Sequence, residues 1–270
     1  AGSTAKFVAN SVIIQMLATC EKWRGELMAL NVGHRLARHA GVNQYGNYYV
    51  STLSEGALDG TGARSDRDGD DTGNGLSSHN IEWLEANFPL LYLFRRNTRG
   101  GGGAGKFRGG AGSESALTVH DAPQGKIRGV ALGVAGLRNS GQVLFGGYPG
   151  APSLLTLIQG ARVEETIAAD QAPDQLDELG GESRLLPYCE FDLGRNDILY
   201  MRMASRGGYG DPVEREPQQV LCDVDEGIVS REEARSIYGV EIEGENPTLN
   251  AASTEMRRAA LRKQRLKKTT

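Results

Sequence analysis

Residues 88–112 read FPLLYLFRRNTRGGGGAGKFRGGAG, and two readings of this stretch set the fold class. Phe88 to Phe94 is the most apolar short run of the chain; bounded by polar residues, it predicts a buried strand rather than a surface one. The glycine tract that follows has too little helix propensity to continue as a helix and predicts tight turns or close backbone approach. Working outward, short apolar pieces recur with Gly and Pro between them. From Gly33 to Asn80 the pattern dissolves into Gly, Asn, Asp and Ser around short apolar pieces such as Tyr48 to Val50, whereas Ala116 to His120, Ile127 to Val134, Val143 to Phe145, Leu154 to Ile158, Leu185 to Phe191 and Ile198 to Met203 are strand candidates. Asp66 to Gly75 reads as a polar surface loop.

The ends follow a different period. From Asn10 to Leu30, the residues Val12, Ile13, Met16, Leu17, Cys20, Trp23, Leu27 and Leu30 recur at spacings of three and four and predict an amphipathic helix. Pro217 suits a first helical turn, Val220, Leu221 and Val224 share one face, and Gly227 closes that helix. Ser230 with Glu233 forms the S-x-x-E capping pattern of a helix over Arg231 to Tyr238, ended by Gly239. A last helix runs through Met256, Leu261 and Leu266, with seven Lys/Arg between Arg257 and Lys268, and reads as a solvated or partner-docking tail. The expected architecture is α+β: a helical segment over 1–40, a glycine-rich, β-rich domain over 41–212, and a helical segment with a basic tail over 213–270.

Composition narrows the function classes. The chain has 270 residues and a net charge of -4, which gives no basic footprint for nucleic acid. Three widely spaced cysteines, Cys20, Cys189 and Cys222, offer neither a disulfide framework nor a zinc ribbon and fit a reducing, cytoplasmic setting. No apolar run approaches the ~20 residues of a membrane span. Glycine stands out: 37 residues is about twice the usual share.

Several patterns resemble sites without completing them. Gly100 to Lys106 matches G-x-x-x-x-G-K, but Phe107 stands where a phosphate loop needs its hydroxyl, and Arg108-Gly109-Gly110 is poor helix. Asp66, Asp68, Asp70 and Asp71 begin like a calcium loop, then fail at Asp71 and Ser77. His34 and His39 lie five apart, on different helix faces, and His79 and His120 are isolated. Ser3 to Lys6 satisfies S-x-x-K with no companion motif. No self-sufficient catalytic constellation or metal-ligand set emerges.

Two long segments carry more. Ser205 to Ile242, SRGGYGDPVEREPQQVLCDVDEGIVSREEARSIYGVEI, resembles the C-terminal signature of the hydantoinase B/oxoprolinase family, in which a Gly-Gly-Tyr-Gly-Asp-Pro turn precedes two short helices and a Tyr-Gly-Val end. His79 to Gly112 resembles the same family's strand, glycine loop and Arg-Gly-Gly turn. The loop departs from the usual Asp-Ser-Gly-Gly-Ala-Gly by beginning Thr98-Arg99-Gly100-Gly101, and family members are usually about twice as long, so that the chain resembles their C-terminal half. The resemblance implies a subunit that works with a hydantoinase A-like, ATP-binding partner and with the N-terminal half of the B-type subunit. Together these would act on an enolisable ketone, as in the ketone carboxylases, or on a cyclic amide such as a hydantoin, 5-oxoproline or a lactam; a noncatalytic scaffold is the third reading. ATP and a divalent metal are expected on the partner chains and none on this one. The residues taken from the two segments as binding or turn positions are His79, Gly102, Gly103, Gly105, Arg108, Arg206, Gly208, Tyr209 and Asp211; the catalytic residues stay unassigned.

Overall fold

A computed structural model describes residues 12–29, 35–53, 55, 58–73, 78–133, 143–169 and 176–267. Two antiparallel sheets form its centre. The first, in the order β2-β1-β5-β8, comprises β1 (Arg35–Val42), β2 (Tyr48–Thr52), β5 (Lys126–Gly133) and β8 (Cys189–Gly194). The second, in the order β3-β4-β9-β6-β7, comprises β3 (Leu90–Asn97), β4 (Ser113–Val119), β6 (Leu154–Gln159), β7 (Glu182–Leu185) and β9 (Ile198–Arg202). Their facing sides share one core, to which Ala37, Ile127, Phe191 and Leu193 come from the first sheet and Leu90, Leu117, Leu155 and Met201 from the second. The other side of the second sheet buries Ala116, Ile158 and Ile198 under a short helix, Val163–Ala168, and Leu179. That two-sided burial is why β3 begins as an unbroken apolar run instead of an alternating one.

Most strand expectations hold within a residue or two, with three instructive departures. Phe88 to Phe94 begins its strand at Leu90, because Ile81–Asn87 is a helix, capped by the Asn80 side chain, which accepts from the Trp83 amide at 2.8 Å. Leu185 to Phe191 is two strands: β7 ends at Leu185 in one sheet, Leu186-Pro187-Tyr188 crosses over, and β8 begins at Cys189 in the other. Val143 to Phe145 forms only an isolated bridge from Leu144 to Tyr209, since Phe145 takes a φ of 53° that no strand tolerates.

The N-terminal helix is shorter than its periodicity suggests. Within the described residues it spans Ile14–Ala18; Cys20 then turns extended and a 3₁₀ segment, Glu21–Glu26, follows. Ile14, Leu17 and Ala18 pack on Leu27, Ala29 and Leu144, while Met16 and Trp23 face solvent. The Ala29 amide is drawn out of helical register to donate to the Ala63 carbonyl at 2.9 Å.

At the other end, Pro217–Asp225 and Arg231–Ser236 are helical as expected, the second with both halves of its Ser230–Glu233 capping box, and Gly227 and Gly239 close them with positive φ. A hairpin, Ile242–Glu243 with Thr248–Leu249, leads to the terminal helix Ala251–Lys267. Val220, Val229, Ala234, Tyr238 and Val240 make a small core of their own, which Ala104 of the glycine tract enters. The terminal helix is not a free tail. Thr254, Arg258, Leu261 and Arg265 recur along one face, where Arg258 donates to the Arg215 and Tyr238 carbonyls and Arg265 pairs with Asp211.

Candidate functional site

Between the second sheet and the C-terminal helices lies a layer built almost entirely of backbone. Segments around residues 59–63, 69–72, 101–112, 147–151 and 203–210 run against one another. Their amides are used internally: Gly103 donates to Arg206, Arg206 to Gly110, Gly110 to Thr61, Thr61 to Asp70, and Gly69 to Arg108, all within 2.7–2.9 Å. Glycine is required because the chains nearly touch. A Cβ on Gly109 would sit 2.0 Å from the Arg206 carbonyl oxygen, and one on Gly208 would sit 2.2 Å from the Ala104 oxygen.

Two sets of charges fasten this layer. Arg206 donates to Asp59 through Nη2 and to the Gly60 carbonyl through Nε, both at 2.9 Å, and Asp59 also accepts the Ala204 amide. Both side chains are essentially out of solvent, at 0% exposure for Asp59 and 6% for Arg206. Burial raises the Asp59 carboxyl to about 6, against the pull of Arg206. The second set centres on Arg215, which makes a bidentate pair with Asp68 at 2.7 Å on each arm and a further bond to Asp223 at 2.9 Å. Burial works to raise Asp68, but the Arg215 hydrogen bonds and charge outweigh it and hold its pKa below the ordinary value. Arg108 completes the group beside Asp71 and Asp223, and its amide donates to Asp68 at 2.7 Å.

The acidic loop expected at the surface is therefore largely a fastening. Asp68 and Asp71 turn inward, Asp71 accepting the Ala111 amide at 2.7 Å, while Asp66, Arg67 and Asp70 stay exposed. No local spacing could have signalled this, since Arg215 and Asp68 lie 147 residues apart.

Of the residues singled out from sequence, Gly102, Gly103, Gly105, Arg108, Arg206, Gly208, Tyr209 and Asp211 are gathered in or against this layer. Tyr209 bridges to Phe107 through the main chain, and its hydroxyl donates to the Arg24 carbonyl at 2.6 Å. Asp211 caps a 3₁₀ turn, Pro212–Glu214, by accepting the Val213 amide. His79 stands elsewhere. Exposed beside Trp83, on which its ring stacks at 4.7 Å, it offers its carbonyl to Arg95. Arg95 in turn binds the buried Glu55 carboxylate at 2.7 Å, and Tyr92 donates to the same oxygen at 2.6 Å. Neither Glu55 nor Arg215 carries a sequence signal.

Chemically, the tract from Gly100 to Lys106 differs from a phosphate loop. The amides of Gly103, Lys106, Gly109 and Gly110 already donate to carbonyls, and Lys106 lacks a following hydroxyl. Among the described residues, no group of three or more His, Cys, Asp or Glu side chains is placed to hold a metal ion. No helix among them is long and apolar enough to cross a membrane.

These features define a class: an antiparallel two-sheet α+β unit sewn to a glycine-packed backbone layer by buried arginine–aspartate pairs. The chain belongs to the hydantoinase B/oxoprolinase family, whose model matches residues 3–212. The acetone carboxylase alpha subunit of Xanthobacter autotrophicus is 30% identical over 91% of this chain, and the acetophenone carboxylase delta subunit of Aromatoleum aromaticum is 26% identical over 96%. The caprolactamase subunit beta of Pseudomonas jessenii is 30% identical over 84%. Among solved structures, nucleotide-free acetone carboxylase aligns with 92% of the chain at a TM-score of 0.77 and 28% identity. The ATP-dependent caprolactamase from Pseudomonas jessenii aligns with 88% at 0.68 and 27% identity. The chain spans 35–41% of the length of these three curated relatives.

Proposed function

We propose that the chain serves as part of the B-type subunit of an ATP-dependent ketone carboxylase complex. The observation that carries this reading is the fuller match to the carboxylases, at 91% and 96% of the chain against 84% for the lactamase, joined by the higher TM-score of 0.77 against 0.68. The caprolactamase likeness favours a second reading, ATP-dependent opening of a cyclic amide. In either case ATP would convert a poorly reactive oxygen into a phosphate leaving group. A hydantoinase A-like partner and the remaining portion of a relative-length B-type subunit would supply the nucleotide and metal sites. This chain's own contribution is a rigid framework, because the arginines and aspartates of its layer are engaged with one another.

The test is to assemble the chain with those partner subunits and supply ATP and bicarbonate with an alkyl or aryl ketone, and in parallel ATP with a lactam. Carboxylated product is the expected result. Ring-opened product alone establishes the second reading, and turnover that is unchanged when the chain is omitted removes both.

A further inference from the structure

The strand β2 is the outermost strand of its sheet, and its hydrogen-bonding pattern fixes which residues face outward. The Asn43 amide donates to the Asn47 carbonyl at 2.9 Å, and the Leu53 amide to the Ala37 carbonyl at 2.8 Å. With the antiparallel register Gly41↔Tyr49 and His39↔Ser51, the hydrogen-bonded pairs are the odd-numbered ones. Tyr48, Val50 and Thr52 therefore point their amides and carbonyls away from β1, and among the described residues no main-chain or side-chain partner meets them. The Tyr48 and Val50 side chains are also bare, 88% and 80% exposed.

Protected edges carry lysine, proline or a bulge. This one has none: β2 reads Tyr-Tyr-Val-Ser-Thr and pairs with β1 without a register shift. It is also held in place. Gln44 donates to the Glu85 and Ala86 carbonyls, and Tyr45 to the Ala86 carbonyl, so that the preceding turn is tied to the C-terminal end of the Ile81–Asn87 helix. On the inner side, Tyr49 packs against His39 and Phe88. A strand ordered in advance loses little freedom on pairing.

We infer that β2 is a self-association edge, joining a second copy of this chain across a two-fold axis at Val50 into one continuous sheet. The occupant follows from the register. Only even-numbered residues have open groups, and of the antiparallel alignments only the one centred on Val50 uses all of them, pairing Tyr48 with Thr52 of the other copy, Val50 with Val50, and Thr52 with Tyr48. Such an interface is self-complementary. The strand carries no charge to repel its copy, and the large Tyr48 ring lies opposite the small Thr52. Arg38, the β1 neighbour of Thr52, lies on the same face, where a cation–π contact with the other copy's Tyr48 ring would add to the pairing. The inference does not depend on which substrate the complex takes.

Light scattering on the full 270-residue chain at micromolar to submillimolar concentration tests this. The expected mass is twice 29.0 kDa, falling by half in Val50→Pro and in Val50→Lys. Val50→Pro removes an outward amide and no bond to β1, and Val50→Lys changes only an exposed side chain, so unchanged melting of both variants identifies the loss as one of association. In a Cys20→Ser, Cys222→Ser background, Val50→Cys should form a disulfide-linked dimer on mild oxidation, since hydrogen-bonded antiparallel pairs hold Cα atoms about 5.5 Å apart; the background alone should not. A wild-type mass of 29.0 kDa throughout, or a dimer that survives both substitutions, overturns the inference.

Discussion

The glycine layer and the two-sheet core hold together by opposite means. In the core, side chains such as Leu117, Leu155 and Leu193 fill space, and the backbone is kept at strand distance. In the layer, glycines dominate, carbonyls lie where a Cβ would be, and buried arginines answered by aspartates fasten the segments together. A core of the first kind absorbs a lost methyl group by partial relaxation. A layer of the second kind has no rotamer to adjust, so its tolerance should be far lower for an addition than for any surface change.

The largest effect should come from adding one carbon there. Gly109→Ala or Gly208→Ala should cost more than ~4 kcal/mol, or prevent folding, because the clash is with backbone. Gly125→Ala, at a turn with φ of 69° and open space around its Cβ, should cost only about 1–2 kcal/mol. Chemical denaturation of the three variants reads the difference, and similar losses in all three would show that conformation, not proximity, governs the layer.

Next in size is the buried pair. Asp59→Asn leaves Arg206 buried without its counter-charge and should cost about 3–5 kcal/mol, whereas Asp59→Leu with Arg206→Met should recover much of that. If the double variant is as unstable as the single one, the hydrogen bonds to Gly60 and Ala204 outweigh the charges.

A pH titration sharpens the comparison, since each region buries a group whose titration burial shifts. His39, against Tyr49 and Phe88 in the first sheet, is lowered by burial from 6.5 to about 4. The unfolded chain then takes up a proton that the folded one refuses, so this group withdraws stability as pH falls from about 6.5 to 4. Asp59 acts the other way. Its folded pKa is raised to about 6, the folded state holds the extra proton between about 4 and 6, and stability from this group declines as pH rises through that window. The stability of wild type relative to His39→Phe should therefore shrink on acidification, by on the order of 2–3 kcal/mol. A pH-independent difference between the two would show that His39 protonates in place.

The smallest contrast lies within the terminal helix. Arg258→Ala, which loses bonds to the Arg215 and Tyr238 carbonyls, should lower stability by about 1–3 kcal/mol, while Arg262→Ala on the exposed face should change it by less than ~0.5 kcal/mol. Equal effects would return the helix to the status of a solvated tail.

What the sequence makes legible is what local chemistry decides. The Ser230–Glu233 capping box, Pro217 opening a helix and the apolar runs of β6 and β9 are specified by residues within a few positions of one another. The crossover at Leu186-Pro187-Tyr188 was obscured because an apolar run of that length fits one strand as well as two. The Ile81–Asn87 helix was missed despite its Asn80 cap, overshadowed by the run that follows it. At the N-terminus, periodicity over-reads a helix that ends where Cys20 turns extended, and by Ala29 the chain bonds across to Ala63 instead. The glycine tract announced close backbone approach, but nothing in Asp59, Asp68 or Asp223 announced an arginine partner, since for the first two that partner lies 147 residues downstream.

That separation also sets a schedule. On the ribosome, Asp59 emerges long before Arg206, and at about 5–20 residues per second the carboxylate waits roughly 7 to 30 s for its guanidinium. Throughout that interval the Gly60 main chain has no closing segment to lie against, and water must serve its amide and carbonyl in the meantime. The layer is thus a clasp that shuts only once synthesis has passed Tyr209, and a pause placed before that point leaves a nascent chain whose strands are made but whose backbone is still unfastened.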